Sequence, residues 1–315
     1  MSELIFMFPG QGSQSRGMLD VFMDRSVVRE TLEEASDVLG FDMGTLIGSD
    51  PDGVLDRTDY TQPALLTASV AMLRLWRELG GRAPAQALGH SLGEYSALVA
   101  ADVLDFSTAL DLVAFRGRMM REAVAEGVGR MAAILGLEDA KVEALCAECS
   151  DGETRVWAAN YNCPGQVVVA GHAAAVDRLI EAAGKAGARR AVPLAVSAPS
   201  HTPLMLPAAD AMRARLADVR LRSPQCPVWS NAYARPQQDA EQIRAALVEQ
   251  LIAPVRWTAS IQNLLVDGGA QVMVEMGPGK VLTGLVRRIA RWLPCHTMSG
   301  LEDFEAAIAA TGGNG

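Results

Sequence analysis

Hydrophobic positions along the chain alternate between two rhythms. The first apolar run, LIFMF at 4–8, is short and unbroken, as in a strand buried on both faces, and it feeds the glycine-rich loop PGQGSQ. Three- and four-residue spacing follows in TASVAMLRLWRELGG (67–81), which predicts a helix stopped by paired glycines. AQALGH (85–90) reads as a short strand running directly into the helix SLGEYSALVAADVL (91–104). STALDLVAFRGRMMREAVAEG (107–127) reads as a long helix with Ser107 or Thr108 as its cap. Strands followed by helices predict an α/β sheet covered by helices on both faces.

The rhythm changes between 128 and 196. MAAILGL, RVWAANY, QVVVAG and RRAVPLAV are predicted strands, while EDAKVEALCAEC and AAAVDRLIEAAGKAG are predicted helices. Their order, βαββαβ, is that of a ferredoxin-like unit, so 128–196 is expected to be a subdomain inserted in a core made of 1–127 and 197–315. The core pattern resumes with the strand CPVWSN, a helix near 239–252, the strand QVMVEMGPG and the helix KVLTGLVRRIARWL. The tail TGGNG is expected to be disordered.

Composition narrows the function classes. A chain of 315 residues, half of them hydrophobic, suits one large domain carrying a smaller one. A net charge of −9 argues against a general nucleic-acid binder, and any acidic partner must be met by a local basic patch. The apolar run at 4–8 is too short, and lacks the basic flank, for a signal peptide or a membrane span. Five cysteines have no framework spacing. Cys146 and Cys149 form a CxxC inside a helical pattern with no second pair at zinc spacing, so they read as core or surface thiols. A reduced, soluble, cytoplasmic protein is expected, with no metal.

The stretch Gly89-His90-Ser91-Leu92-Gly93 carries the candidate chemistry. GxSxG between a strand and a helix is the pattern of a nucleophile elbow, whose sharp turn needs small neighbours and sets backbone N–H groups where an oxyanion forms. The plainer alternative makes Ser91 an ordinary helix cap. A serine nucleophile needs a base, and four histidines are available. His90 adjoins Ser91 and should leave the turn in another direction, while His172 reads as a surface or capping residue. Chemistry favours His201, in the proline-bracketed loop VSAPSHTPLM, or His296, near the C-terminus, without deciding between them. Arg116 has Leu112, Val113, Met119 and Met120 as its helical neighbours, so it is centred on an apolar face. Snorkelling or an internal ion pair would explain that position, as would a waiting anionic ligand. Paired with an acyl-serine, a guanidinium in that place selects acyl groups that end in a carboxylate.

With FPGQGSQ, YTQPALL, GHSLGEYSAL, FRGRMM, SAPSH and EMGPGKVLTGL in that order, the chain resembles the malonyl-CoA:acyl-carrier-protein transacylases, over residues 4 to about 300. The resemblance implies an α/β-hydrolase-like core with a ferredoxin-like insert. It also implies ping-pong transfer of malonyl from malonyl-CoA, through Ser91, to the phosphopantetheine thiol of acyl carrier protein in fatty-acid synthesis. His201 is then the base, and a backbone carbonyl, falling on Gln250, orients it, giving a Ser-His dyad. Arg116 falls on the position of the carboxylate-binding arginine, and the N–H groups of Gln11 and Leu92 on the oxyanion hole. Gln62 and Asn162 are further candidates for the cleft lining. Ser200 before His201 is the residue type that accompanies methylmalonyl in modular polyketide acyltransferases, although stand-alone malonyl transferases share PSH.

The other glycine-rich stretches match neither a dinucleotide fingerprint nor a P-loop, so no cofactor is expected beyond the coenzyme A thioester as substrate. An acidic carrier calls for concentrated positive charge. The candidates are Lys280, Arg287, Arg288 and Arg291 on the last long predicted helix, with Lys185, Arg189 and Arg190 on the insert. A serine thioesterase or esterase on the same core, a polyketide-pathway acyltransferase and a non-catalytic binding module are the alternatives.

Overall fold

The computed structural model describes residues 3–196 and 198–312. Its N-terminal part runs β1 (Leu4–Phe8), α1 (Ser26–Leu39), α2 (Met43–Gly48), α3 (Thr58–Glu78), β2 (Gln86–Gly89), α4 (Gly93–Ala100) and α5 (Phe106–Glu122). The middle part runs β3 (Gly129–Leu135), α6 (Asp139–Glu148), β4 (Val156–Cys163), β5 (Gln166–His172), α7 (Ala173–Lys185) and β6 (Arg190–Pro193). The last part runs α8 (Leu206–Ala217), β7 (Val228–Trp229), β8 (Pro236–Gln237), α9 (Ala240–Ile252), α10 (Trp257–Asp267), β9 (Val272–Glu275), α11 (Val281–Ile289), β10 (Cys295–Thr297) and α12 (Leu301–Thr311).

The strands form two sheets, giving a mixed α/β protein. The larger has the order β10-β9-β1-β2-β7-β8, and its first five strands are parallel neighbours. All five residues of β1 are buried, because helices cover both faces of a parallel sheet. Phe6 and Phe8 face one apolar cluster, with Trp76 of α3 edge-on to Phe6 at 5.5 Å, whereas Ile5 and Met7 face a second cluster with Trp229, Trp257 and Leu285. The smaller sheet is antiparallel with the order β4-β5-β3-β6, and its inner face packs on Val142, Leu145, Val176 and Leu179 of α6 and α7. A strand-like bridge ties the two parts together, since Tyr161 N–H donates to Val255 O and Val255 N–H to Ala159 O, both at 2.9 Å.

Several predicted boundaries move. The third helix begins at Thr58, nine residues before the predicted start, and carries Pro63 inside it. As the sixth residue of the helix, Pro63 removes the one N–H that would have met Asp59 O, and the rest of the 21-residue helix continues past it. The cap of α5 is Asp105, whose carboxylate accepts from Thr108 N–H, and neither Ser107 nor Thr108 takes that role. The helix predicted over 280–293 ends at Ile289. Of the tail expected to be disordered, Thr311 closes α12 and residues 313–315 lie outside the described residues, as do 1, 2 and 197 at the edges of the expected core segments. Among the described residues no helix is long and apolar enough to cross a membrane.

Candidate active site

The geometry of the serine loop follows from its glycines. A Cβ at Gly89 would lie 1.9 Å from the Gly93 carbonyl carbon, and one at Gly93 would lie 2.1 Å from Phe8 O. Strand, turn and helix are therefore packed backbone to backbone, and Ser91 at the apex adopts φ +51°. Left-handed backbone costs a residue with a side chain about 1–2 kcal/mol, so the surroundings must hold it. Asn231, just after β7, does so: its Oδ1 accepts from Ser91 N–H at 2.6 Å and its Nδ2 donates to Gly89 O at 2.6 Å. The residue flanking α4 as its cap is Leu92, and no side chain caps that helix. Ser91 is not a capping serine.

Its hydroxyl instead meets two partners from distant segments. Ser91 Oγ lies 2.8 Å from His201 Nε2. His201 Nδ1 lies 2.7 Å from the backbone oxygen of Gln250, near the end of α9. A carbonyl oxygen only accepts, so Nδ1 carries the ring proton and Nε2 is free to accept the hydroxyl proton. Burial, followed by the Arg116 charge, pushes the His201 imidazole down to about 3, which keeps it neutral in the free protein. His201 also has a left-handed backbone, φ +62°.

Arg116, on α5, is 1% exposed. Nη1 donates to Gln62 Oε1 at 2.6 Å, while Nη2 donates to Gln250 Oε1 at 2.8 Å and to Ser91 Oγ at 3.2 Å. Its Nε has no acceptor among the described residues. The nearest buried carboxylate, Glu94, exerts a Coulombic pull on it without a direct ion pair, so Arg116 neither snorkels nor sits in a closed salt bridge. Its neighbour Arg118 is exposed.

Gln250 serves both partners. Its backbone oxygen holds His201, its side-chain oxygen holds Arg116, and its Nε2 donates to Ser91 O at 2.9 Å and to Glu94 Oε2 at 2.7 Å. A second chain leads from Arg116 to the PGQGSQ loop: Gln62 Nε2 donates to Thr58 Oγ1 at 3.0 Å, and Thr58 Oγ1 donates to Gln11 Oε1 at 2.9 Å. That loop presses on the serine turn, for a Cβ at Gly10 would lie 2.3 Å from His90 O. The backbone N–H groups of Gln11 and Leu92 donate to no acceptor among the described residues. Asn162, on β4, lies 2.8 Å from His90 Nε2, so the smaller sheet reaches the serine turn and His90 points away from the dyad.

The other candidates fall elsewhere. His296 sits on β10 at the edge of the larger sheet, paired with Val274. His172 precedes α7 without a side-chain cap bond, and its Nδ1 accepts from Arg155 N–H at 2.9 Å. Cys146 and Cys149 are free and buried, with burial pushing the Cys146 thiol up to about 12. Among the described residues no group of His, Cys, Asp or Glu is placed to hold a metal ion. The basic candidates Lys280, Arg287, Arg288, Arg291, Lys185, Arg189 and Arg190 are all exposed. Arg288 reaches across to the smaller sheet, donating to Gln166 Oε1 at 2.8 Å and Pro164 O at 3.2 Å. Between them, a Cβ at Gly165 would lie 4.0 Å from Arg288 Nη2 and 3.9 Å from Gly136 Cα, and a Cβ at Gly136 would lie 2.9 Å from the Arg189 Cβ. Arg288 and Arg189, one from each basic set, therefore approach the same Gly136–Gly165 corner of the smaller sheet.

Sequence reasoning missed Glu94, Asn231 and Thr58. Glu94 carried a usable signal, since its neighbours Ala97 and Leu98, three and four positions on, place it on an apolar face as Arg116 is placed. Thr58 stands among polar residues that give no such sign, and Asn231 follows a short strand in a stretch with no periodicity to single it out.

Comparison with known proteins gives the family of the chain. The acyl transferase domain family matches residues 5–298. The malonyl CoA-acyl carrier protein transacylase of Escherichia coli (strain K12) is 49% identical over 311 residues, 98% of this chain and 99% of that protein. The solved structure of the malonyl CoA-acyl carrier protein transacylase from Coxiella burnetii has a TM-score of 0.95 at 43% identity, covering 98% of this chain and 97% of that one. A malonyl-transacylase solved in complex with a type II polyketide synthase acyl-carrier protein has a TM-score of 0.95 at 47% identity, covering 98% of this chain and all of that one. The chain belongs to the acyl transferase family and, within it, to the malonyl-CoA:acyl-carrier-protein transacylases.

Proposed function

We propose that this protein transfers malonyl from malonyl-CoA to the phosphopantetheine thiol of acyl carrier protein, supplying fatty-acid biosynthesis. One observation carries the reading: a single hydroxyl, Ser91 Oγ, lies 2.8 Å from a neutral imidazole and 3.2 Å from a buried guanidinium. In the first half-reaction Ser91 Oγ attacks the thioester carbonyl carbon while its proton passes to His201 Nε2. The N–H groups of Gln11 and Leu92 hold the oxyanion, and loss of one such donor typically costs about 10²–10³ in rate. The carbon–sulfur bond then breaks, and His201 returns the proton to the coenzyme A sulfur. In the second half the carrier thiol gives its proton to His201, its sulfur attacks the ester carbon, and Ser91 Oγ leaves with that proton.

Arg116 supplies the selection by pairing with the malonyl carboxylate. A thioester without that group makes none of these charge-assisted bonds, and a site built to bond a polar group discriminates against analogues lacking it. Gln62 and Gln250 orient Arg116, Gln250 O orients His201, and Asn162 lines the cleft from the insert. The exposed basic residues Lys280, Arg287, Arg288, Arg189 and Arg190 supply the docking face for the acidic carrier, and no cofactor enters the reaction as drawn. We read the larger sheet with its serine turn as an α/β-hydrolase-like core over 1–127 and 197–315. We read 128–196 as a ferredoxin-like insert, which the strand order β4-β5-β3-β6 supports. Five free cysteines suit a reducing, cytoplasmic compartment.

The test is intact-protein mass spectrometry after incubation with mixed malonyl-, methylmalonyl- and acetyl-CoA, followed by a chase with acyl carrier protein. A malonyl ester on Ser91 that moves to the carrier is the expected result. An ester that passes to water and not to the carrier makes the protein a thioesterase. No ester at all makes it a binding module.

A further inference from the structure

Glu94 lies in the first turn of α4 and is 2% exposed, and the transfer chemistry does not use it. Both hydrogen bonds it accepts fall on one oxygen, Oε2, from Gln250 Nε2 at 2.7 Å and from Asn231 N–H at 3.1 Å. Oε1 accepts none among the described residues. Arg116 on α5 faces it as the neighbouring cation and Tyr95 flanks it on α4, while α9 and the segment after β7 bring only the neutral groups of Gln250 and Asn231. Burial keeps Tyr95 protonated, pushing its hydroxyl up to about 12. Without substrate, the interior thus holds one guanidinium and one carboxyl group that bear on each other.

We propose that Glu94 is the counter-charge of Arg116 in the free protein, taking up a proton on Oε1 when the malonyl carboxylate pairs with Arg116. The inference rests on the reading of Arg116 as the partner of malonyl. Loading a malonyl group brings a second anion to a single cation, and a like charge in a desolvated site favours the neutral carboxyl. Burial already drives the Glu94 carboxyl up to about 7, so the proton is within reach at neutral pH. The proton comes from solvent and no other bond changes. Oε2 stays a carbonyl oxygen that accepts from both its donors, so Gln250 keeps its own oxygen toward Arg116. Glu94 is in this sense a positioning residue whose charge state follows the occupancy of the pocket.

The sign is fixed by the linkage. Below about pH 7 Glu94 is already neutral and loading malonyl costs no proton, whereas above it each malonyl ester must take one up. The ratio of malonyl to acetyl ester on Ser91, formed from the two thioesters at equilibrium, is measured by intact mass from about pH 6 to about pH 9. Ionisation of the released coenzyme A thiol is common to both and cancels. The expected ratio is flat below about pH 7 and falls toward tenfold per unit above it, and Glu94→Gln flattens it throughout. A second measurement needs no variant: in weakly buffered solution near pH 8 with an indicator dye, malonyl-CoA should draw close to one more proton per ester than acetyl-CoA. A wild-type ratio flat across the range, with equal proton counts, overturns the inference while leaving malonyl transfer intact. Absence of any malonyl ester removes the transfer reading itself.

Discussion

Replacing Arg116 by alanine tests the selection directly. The guanidinium makes three hydrogen bonds, to Gln62, Gln250 and Ser91 Oγ, and two of its five N–H groups, at Nε and Nη1, have no acceptor among the described residues. A malonyl carboxylate adds two charge-assisted bonds of about 1.5–3 kcal/mol each, and Arg116 gives up its long bond to Ser91 Oγ, worth about 1 kcal/mol. The net of about 2–5 kcal/mol corresponds to about 30- to 5,000-fold in kcat/KM for malonyl-CoA. Acetyl-CoA gains nothing from these bonds. It is instead slowed by Arg116, because the guanidinium charge is the second cause of the weak basicity of His201. Arg116→Ala should therefore lower kcat/KM for malonyl-CoA by that factor and hold or raise it for acetyl-CoA, measured in competition with both thioesters present. Arg116→Gln, which keeps more of the side-chain volume, should behave alike and guards against a packing defect. A folded variant whose malonyl preference changes by less than about tenfold would refute Arg116 as the carboxylate partner.

Four further outcomes are expected. Ser91→Ala forms no acyl-enzyme and His201→Ala loses transfer, while His296→Ala on the edge strand retains it; an inactive His296→Ala reassigns the base. Gly89→Ala puts a Cβ into the Gly93 backbone at 1.9 Å, so it should cost about 1–3 kcal/mol in denaturant melts and most of the activity. The His201 imidazole is held down to about 3 against 6.5, so the unfolded chain binds its proton first and stability is lost as pH falls from 6.5 toward 3. At pH 5 the wild type should lose about 2 kcal/mol more than His201→Asn, relative to pH 7.5, and equal losses would count against a buried neutral histidine. Charge reversal at Lys280 and Arg287 should raise KM for the carrier and leave acylation by malonyl-CoA intact, and unchanged carrier kinetics at low salt would remove the docking face. Arg288 is left in place because it also holds Pro164 and Gln166 of the smaller sheet.

What the sequence disclosed follows from how local each feature is. The run at 4–8, the GxSxG turn and the βαββαβ order are written in adjacent residues, and each forms where the pattern places it. Arg116 was legible because a charge on an apolar helical face violates a local rule. The start of α3 was hidden by Pro63, a residue that usually marks a helix boundary and here sits inside the helix. Asp105 outdid Ser107 and Thr108 as a cap because its carboxylate reaches Thr108 N–H at 2.8 Å from the position before the helix. The clamp of Asn231 on Ser91 and Gly89 joins residues 140 and 142 positions apart, and no periodicity encodes that. The choice between His201 and His296 was likewise beyond chemistry alone, since it depends on which of two distant segments folds over the serine turn.

Gln250 explains why these separate pieces act together. Its carbonyl oxygen fixes the tautomer of His201, and its amide fixes Arg116 on one side and Glu94 with Ser91 O on the other. The amide has no second orientation, because Arg116 only donates while Ser91 O only accepts and the ionised Glu94 carboxylate does the same. One residue thus holds His201 and Arg116, the proposed base and acyl-group filter, in a common frame. The filter in turn acts on the base: the Arg116 charge weakens His201 in the empty site, and an acyl group that brings a carboxylate offsets that charge. On the proposed reading of Arg116, the thioester that fits the pocket therefore meets a stronger base than one that does not, and selection operates in the chemical step as well as in binding, with both effects running through the same guanidinium.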